Sequence, residues 1–222
     1  MCDDMSKQKK RKREKARKER LNILRAIRET GGEDEHYIYF NMEIYEEPKK
    51  NHPPLSPEMD SMAEEANDLA HARKYKQAIA MLEQVNAKEP GRPMVLYNIA
   101  VYHLALGDRE FHDETIDKLV KDFPGYFFGQ MAYATRLIMQ RQLDKAWDIL
   151  RPVYKLKRLH VAEFKAFVGA MILLNLAKKN IDEARNIHQS CSEICEGSLP
   201  NLDSFLLELM RDMVYYSDRG NE

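Results

Sequence analysis

Residues 65–90 read EANDLAHARKYKQAIAMLEQVNAKEP, and the small residues and closing proline of this run return further along at a fixed interval. Ala66, Ala100 and Ala134 lie 34 positions apart, as do the bulky aliphatics Leu82, Ile116 and Leu150; Pro90 and Pro124 share the interval. A constant period means that one structural unit is stacked on copies of itself, rather than one core filled from distant segments. Alanine recurs where two helix axes come within roughly 8 to 10 Å, because a larger side chain would hold them apart. Ala78 and Ala146 meet that need, whereas His112 stands at the equivalent place in the second unit and departs from the pattern. The interval is long enough for two helices and a turn, with the proline ending the second helix.

On these residues the chain resembles a tetratricopeptide repeat (TPR) protein. The resemblance rests on Ala66, Leu69, Tyr75, Ala78, Leu82 and Pro90, then on Leu96, Ala100, Gly107, Ile116 and Pro124. A third unit contributes Ala134, Leu137, Ala146 and Leu150, with Arg158 in place of the closing proline. A fourth is marked by AKKNIDEA ending at Ala184, which is 38 rather than 34 positions after Ala146; four residues are expected to be inserted around KLKRLH. The expected fold class is all-α: a right-handed α-α superhelix of TPR-like helix-turn-helix repeats over 56–195, in units 57–90, 91–124, 125–158 and 159–195.

The resemblance implies that the first helix of each unit lines a concave groove. Carried over residue by residue, the groove comprises Asn67 and His71, then Met94, Tyr97, Asn98 and Val101, then Phe128, Met131, Thr135 and Ile138. Its apolar, Met- and aromatic-rich character suits an adaptable peptide or helix contact. The chain's own segments are an equal alternative as its cover. Some members of the family hold a C-terminal carboxylate with two asparagines and three basic side chains. Asn67 and Asn98 match the asparagines, but Ala63, Phe128 and Ala132 stand where the bases belong, so that clamp is rejected.

Outside the repeats the chain changes character. Residues 1–30 hold 12 Lys/Arg against 5 Asp/Glu, leaving 23 basic and 31 acidic residues elsewhere, so the overall charge of −1 conceals a polarised chain. This extension is expected to be helical or disordered, and Lys9, Lys10, Arg11, Lys12, Arg13, Arg17 and Lys18 form a candidate polyanion site, including for RNA. It holds no aromatic side chain for base stacking, so any such binding is expected to be salt-sensitive and weakly sequence-specific. Residues 31–55 form a linker in which Ile38, Phe40, Met42 and Ile44 alternate with Tyr37, Tyr39, Asn41, Glu43 and Tyr45, the period of an extended strand that must find a partner. Ser56-Pro57-Glu58 then reads as a helix opening with a hydroxyl cap. At the far end, 198–222, Leu202, Phe205, Leu206, Leu209 and Met213 share one helical face, as a helix capping a stack would.

No enzyme is expected. The sequence carries no nucleophile elbow, phosphate loop or HExxH. His188, Cys191 and Cys195 have zinc-compatible spacing but no evident fourth ligand, and are read as core. No cofactor, metal or small-molecule substrate is expected, and no membrane: Val168 to Ala177 is too short to span and reads as a buried helix. The expected location is cytoplasmic, three cysteines giving no disulfide framework. The expected function is a noncatalytic protein-protein interaction scaffold, with an RNA- or ribosome-associated factor as the alternative.

Overall fold

The structure, a computed structural model, describes residues 42–46 and 54–192 together with positions 200, 204, 212 and 216. Residues 41–222 form one compact unit. The basic extension, with Lys9 to Lys18, lies outside the described residues, as do Tyr37 to Asn41, Cys195 and the apolar set from Leu202 to Met213.

Eight α-helices are seen among the described residues: α1 (Pro57–His71), α2 (Tyr75–Lys88), α3 (Pro93–Ala105), α4 (Arg109–Asp122), α5 (Phe127–Met139), α6 (Leu143–Leu150), α7 (Val161–Ala177) and α8 (Ile181–Ser192). They pack as consecutive pairs, α1 on α2, α3 on α4, α5 on α6 and α7 on α8, and each pair meets the next. The backbone repeats the interval found in the sequence. Tyr75, Arg109 and Leu143 open α2, α4 and α6, and the turns before them carry positive φ at Arg73, Gly107 and Arg141 (58°, 89° and 61°), again 34 positions apart. The left-handed residue ends the first helix of a pair and redirects the chain into the second. In the fourth pair that residue is Lys179, with φ 65°, 38 positions after Arg141.

The four extra residues do not sit in KLKRLH as expected. Helix α7 begins 34 positions after α5, at Val161 against Phe127, but ends 38 after it, at Ala177 against Met139. One additional helical turn lengthens α7 to 17 residues from the 13 of α5. The turn is stabilised by burial, since every residue from Ala170 to Ala177 is buried. The polar Asn175 is accommodated by donating to the Met171 carbonyl at 3.0 Å. No helix among the described residues is long and apolar enough to cross a membrane.

Ala66, Ala78, Ala100, Ala134 and Ala146 are each 0% exposed, which places alanine where the helices lie closest. Leu82, Ile116 and Leu150 are buried beside them. His112, the departure from the small-residue rule, is buried at the same place in α4, its Nδ1 2.9 Å from Asp113 Oδ1. A polar partner lets the imidazole occupy an interior position. Helix α1 starts differently from expectation. Ser56 is its N-cap, but its hydroxyl does not cap the helix; instead the Ser56 N–H donates to Glu89 Oε1 at 3.0 Å, tying the start of α1 to the end of α2. Hydrogen bonding from Ser56, by its side chain first and its N–H second, followed by the neighbouring Arg92, holds the Glu89 carboxyl below its ordinary value.

The described end of the tyrosine-rich segment, residues 42–46, finds a partner within the chain. Strand β1 (Glu43–Tyr45) pairs in parallel with β2 (Arg158–His160), in the register Glu43 to Arg158, Ile44 to Leu159 and Tyr45 to His160. Arg158 lies 3.3 Å from Glu43 and its guanidinium sits over the Tyr45 ring, which meets His160 edge-on at 5.5 Å. Leu159 is buried between the strand pair and α7. His160 then caps α7 reciprocally: its Nδ1 accepts from the Ala162 N–H, while Glu163 accepts from the His160 N–H.

Candidate functional site

The face formed by the first helices α1, α3 and α5 joins two chemically distinct regions. The polar region is built on Asn67. Its Oδ1 accepts from Asn98 Nδ2 at 3.2 Å and from the Tyr102 hydroxyl at 2.7 Å, so one carboxamide of α1 fixes two side chains of α3. Tyr102 is held from below by Tyr75 of α2, the ring centroids 6.1 Å apart. Burial raises the Tyr102 hydroxyl above its ordinary value, so it stays a neutral donor at physiological pH.

The apolar region is an aromatic cluster. Tyr97 of α3 lies 5.9 Å from Tyr126 and 5.8 Å from Phe128, while Tyr126 and Phe128 are 5.9 Å apart. The pairs are tilted or edge-on, the geometries that aromatic quadrupoles favour. Close packing beneath the cluster depends on Gly129, where a Cβ would come within 3.3 Å of the Tyr126 ring and 3.6 Å of Leu119. Burial pushes both the Tyr97 and Tyr126 hydroxyls up, with Tyr97 and Glu163 adding to the effect at Tyr126. Neither phenol is therefore an available base near neutrality.

Of the residues assigned to the groove by repeat register, Met94, Tyr97, Asn98, Val101, Phe128 and Thr135 are half-buried on their helices, Asn67 likewise, and His71 is exposed. Met131 and Ile138 are different. They are 4% and 0% exposed, so they back the surface from inside instead of forming it. The physical reason lies in α5, which packs against α4, α6 and α7 and is buried at Gly129, Met131, Ala134 and from Arg136 to Met139. The residues named on α3 are thus half-buried, whereas α5 is more enclosed than the register implies.

Cys191 is buried in α8, and His188 Nε2 lies 2.9 Å from the Pro200 carbonyl oxygen. No cluster of three or more metal-ligating side chains occurs among the described residues.

A polar site missed by sequence reasoning lies where α4, the second helix of its pair, meets α5, the first helix of the next. Arg136 of α5 forks onto Asp117 of α4 and also donates to the Asp113 carbonyl at 2.8 Å. Arg109, at the start of α4, donates to Asp212 at 3.0 and 2.7 Å, and Tyr216 donates to Asp113 Oδ2 at 2.7 Å. Asp212 and Tyr216, two of the described positions of the terminal segment, thus meet α4. No local pattern announces a contact between residues 103 positions apart.

No known protein family matches the chain, and no curated protein does. Among solved structures, the MamA RS-1 ArsTM double mutant superposes with a TM-score of 0.44 at 13% identity, covering 76% of this chain and 98% of that one. A likeness of that size carries no argument about function. The chain's own geometry does: a mostly helical stack of pairs with one row of half-buried first-helix side chains.

Proposed function

We propose that the chain is a noncatalytic interaction scaffold whose first-helix face holds a segment of a partner protein. The observation that supports this reading is the juxtaposition of the Asn67–Asn98–Tyr102 hydrogen-bonded group with the Tyr97–Tyr126–Phe128 cluster along α1, α3 and α5. A carboxamide row can bond a peptide backbone whatever its sequence, while an adjacent aromatic patch takes an apolar side chain. Val101 and Thr135 are half-buried on the same helices and carry no charge, which suits a peptide or helix better than an anion. The Tyr97 and Tyr126 hydroxyls are held protonated, so the aromatic patch offers contact rather than acid-base chemistry.

The test is capture with the intact chain, with and without nuclease, alongside a Val101→Glu variant of unchanged helicity. The expected result is nuclease-resistant capture of one protein that is lost in Val101→Glu. Capture that survives the substitution counts against this face, and capture that disappears with nuclease favours the basic extension and an RNA partner.

A further inference from the structure

Of the four turns that join the helices of a pair, the second has glycine in the left-handed position, Gly107, where no Cβ opposes the backbone. The other three carry Arg73, Arg141 and Lys179 there, with φ of 58°, 61° and 65°. A cation is thus kept where its own Cβ is disfavoured, and backbone strain of this kind gathers at functional positions. Helix C-termini favour a positive charge, which accounts for part of the pattern. Arg141 shows it: its guanidinium donates to the Ala177 carbonyl at 2.7 Å, so the side chain reaches from the third turn to the end of α7.

That bond gathers four exposed cations. Lys178 follows Ala177 and holds its ammonium 5.7 Å from the centre of the Trp147 ring on α6, and Lys179 comes next. Lys145, in the first turn of α6, donates to the neutral Gln142 at 2.8 Å. Among the described residues none of the four makes an ion pair. Of the carboxylates on α6 and the start of α8, Asp148 lies 3.4 Å from Arg151 and Asp182 takes Arg185 at 2.7 Å, which leaves Asp144 and the half-buried Glu183 against four positive charges. Two helix C-termini, of α5 and α7, and two N-termini, of α6 and α8, meet at this edge, so their dipoles oppose one another and the surplus stays positive.

We propose that this edge binds single-stranded nucleic acid, the four cations meeting phosphates while the Arg141 guanidinium and the Trp147 ring give flat surfaces to bases. The cations lie on two successive turns, which suits a chain of charges better than one anion. A guanidinium engages phosphate oxygens in pairs, and the Ala177 bond uses one of the five N–H donors of Arg141. An aromatic ring among cations is what the basic extension lacks, since residues 1–30 contain no Phe, Tyr or Trp. Gly107 and Asp108 interrupt the row at the second turn, so the site is confined to the third and fourth. It uses none of the first-helix residues proposed to hold a protein segment and does not depend on that reading.

Trp147 is the single tryptophan of the chain, so its emission reports on this edge. The test adds an unlabelled uridylate dodecamer to the full chain and follows that emission at several salt concentrations. Saturable quenching is expected, the affinity falling with salt at a log–log slope of about 0.7 per phosphate engaged, hence about 3 for four. Arg141→Gly and Lys179→Gly put glycine where the backbone favours it, so the turns themselves are not endangered. The double variant is expected to bind about tenfold more weakly or worse, whereas Arg73→Gly, the same exchange at the first turn, is expected to bind as wild type does. Should the loss of the Arg141 bond to Ala177 lower helicity, Lys179→Gly alone decides: binding weakened about threefold supports the proposal, and unchanged affinity refutes it. Absence of quenching, quenching undiminished in a folded double variant, or an equal response to inorganic polyphosphate of the same charge overturns it.

Discussion

Replacing Ala100 by leucine tests the stacking of helix pairs at its narrowest point. Ala100 is 0% exposed in α3 and packs in a cluster with Ile116 and Leu119 of α4. Leucine adds three carbons where no solvent reaches, so α3 must move off α4 or the neighbours must leave their preferred rotamers. Overpacking of this kind costs about 1–3 kcal/mol. With about 2–4 °C of melting temperature per kcal/mol for a chain of this size, a mid-range cost of ~2 kcal/mol lowers the midpoint by about 6 °C. Ala66 and Ala134, one interval before and after and equally buried, should give losses of the same order. Ala80, exposed on α2, is the control, where leucine should change stability by less than about 0.5 kcal/mol. The assay is thermal unfolding followed by circular dichroism for all four variants. If the three buried sites tolerate leucine as well as Ala80 does, the helices are not held at close approach by these alanines and the reasoning fails.

Three further outcomes rest on particular contacts. Gly107→Ala is expected to destabilise by about 1 kcal/mol, because φ of 89° is costly for an L side chain although nothing lies within 4 Å of the added carbon; chemical denaturation measures it. Asp113 has a carboxyl depressed in the folded state, so its contribution is full above the unfolded value of about 4 and is lost as pH falls through the folded value. The stability gap between wild type and Asp113→Asn should therefore shrink between pH 7 and pH 3 in urea titrations, and a constant gap would contradict the assigned charge contacts. Tyr45→Ala removes the edge-on contact with His160 and the cation–π contact with Arg158, together about 1 kcal/mol, and amide exchange at residues 158–160 should quicken.

The repeat was legible because it is a local matter repeated: alanine at each crossing and aliphatics at Leu82, Ile116 and Leu150. The left-handed turns at Arg73 and Arg141 were not, because arginine stands there where Gly107 marks the middle one. The placement of the extra turn was not legible, because α7 is apolar from Ala166 to Ala177 save Gly169 and Asn175 and gives no periodic sign of where one turn ends and the next begins. Strand β2 went unseen for another reason. Its three residues are too few for alternation, and β1 determines its extended state across the chain. At the candidate site, register could not show how far α5 is enclosed, with Met131 and Ile138 both inside. The Arg109–Asp212 contact was beyond reach, since nothing in either local sequence names the other.

The central claim, that partners meet the first-helix face, is tested most directly by placing a photo-crosslinking amino acid in the full chain at Val101, Thr135, Ala80 and Lys118 in turn. Val101 and Thr135 lie half-buried on first helices, while Ala80 and Lys118 are exposed on second helices. One partner protein should be crosslinked at Val101 and Thr135 and not at Ala80 or Lys118. Crosslinks confined to Ala80 and Lys118, or equal at all four positions, would contradict the claim.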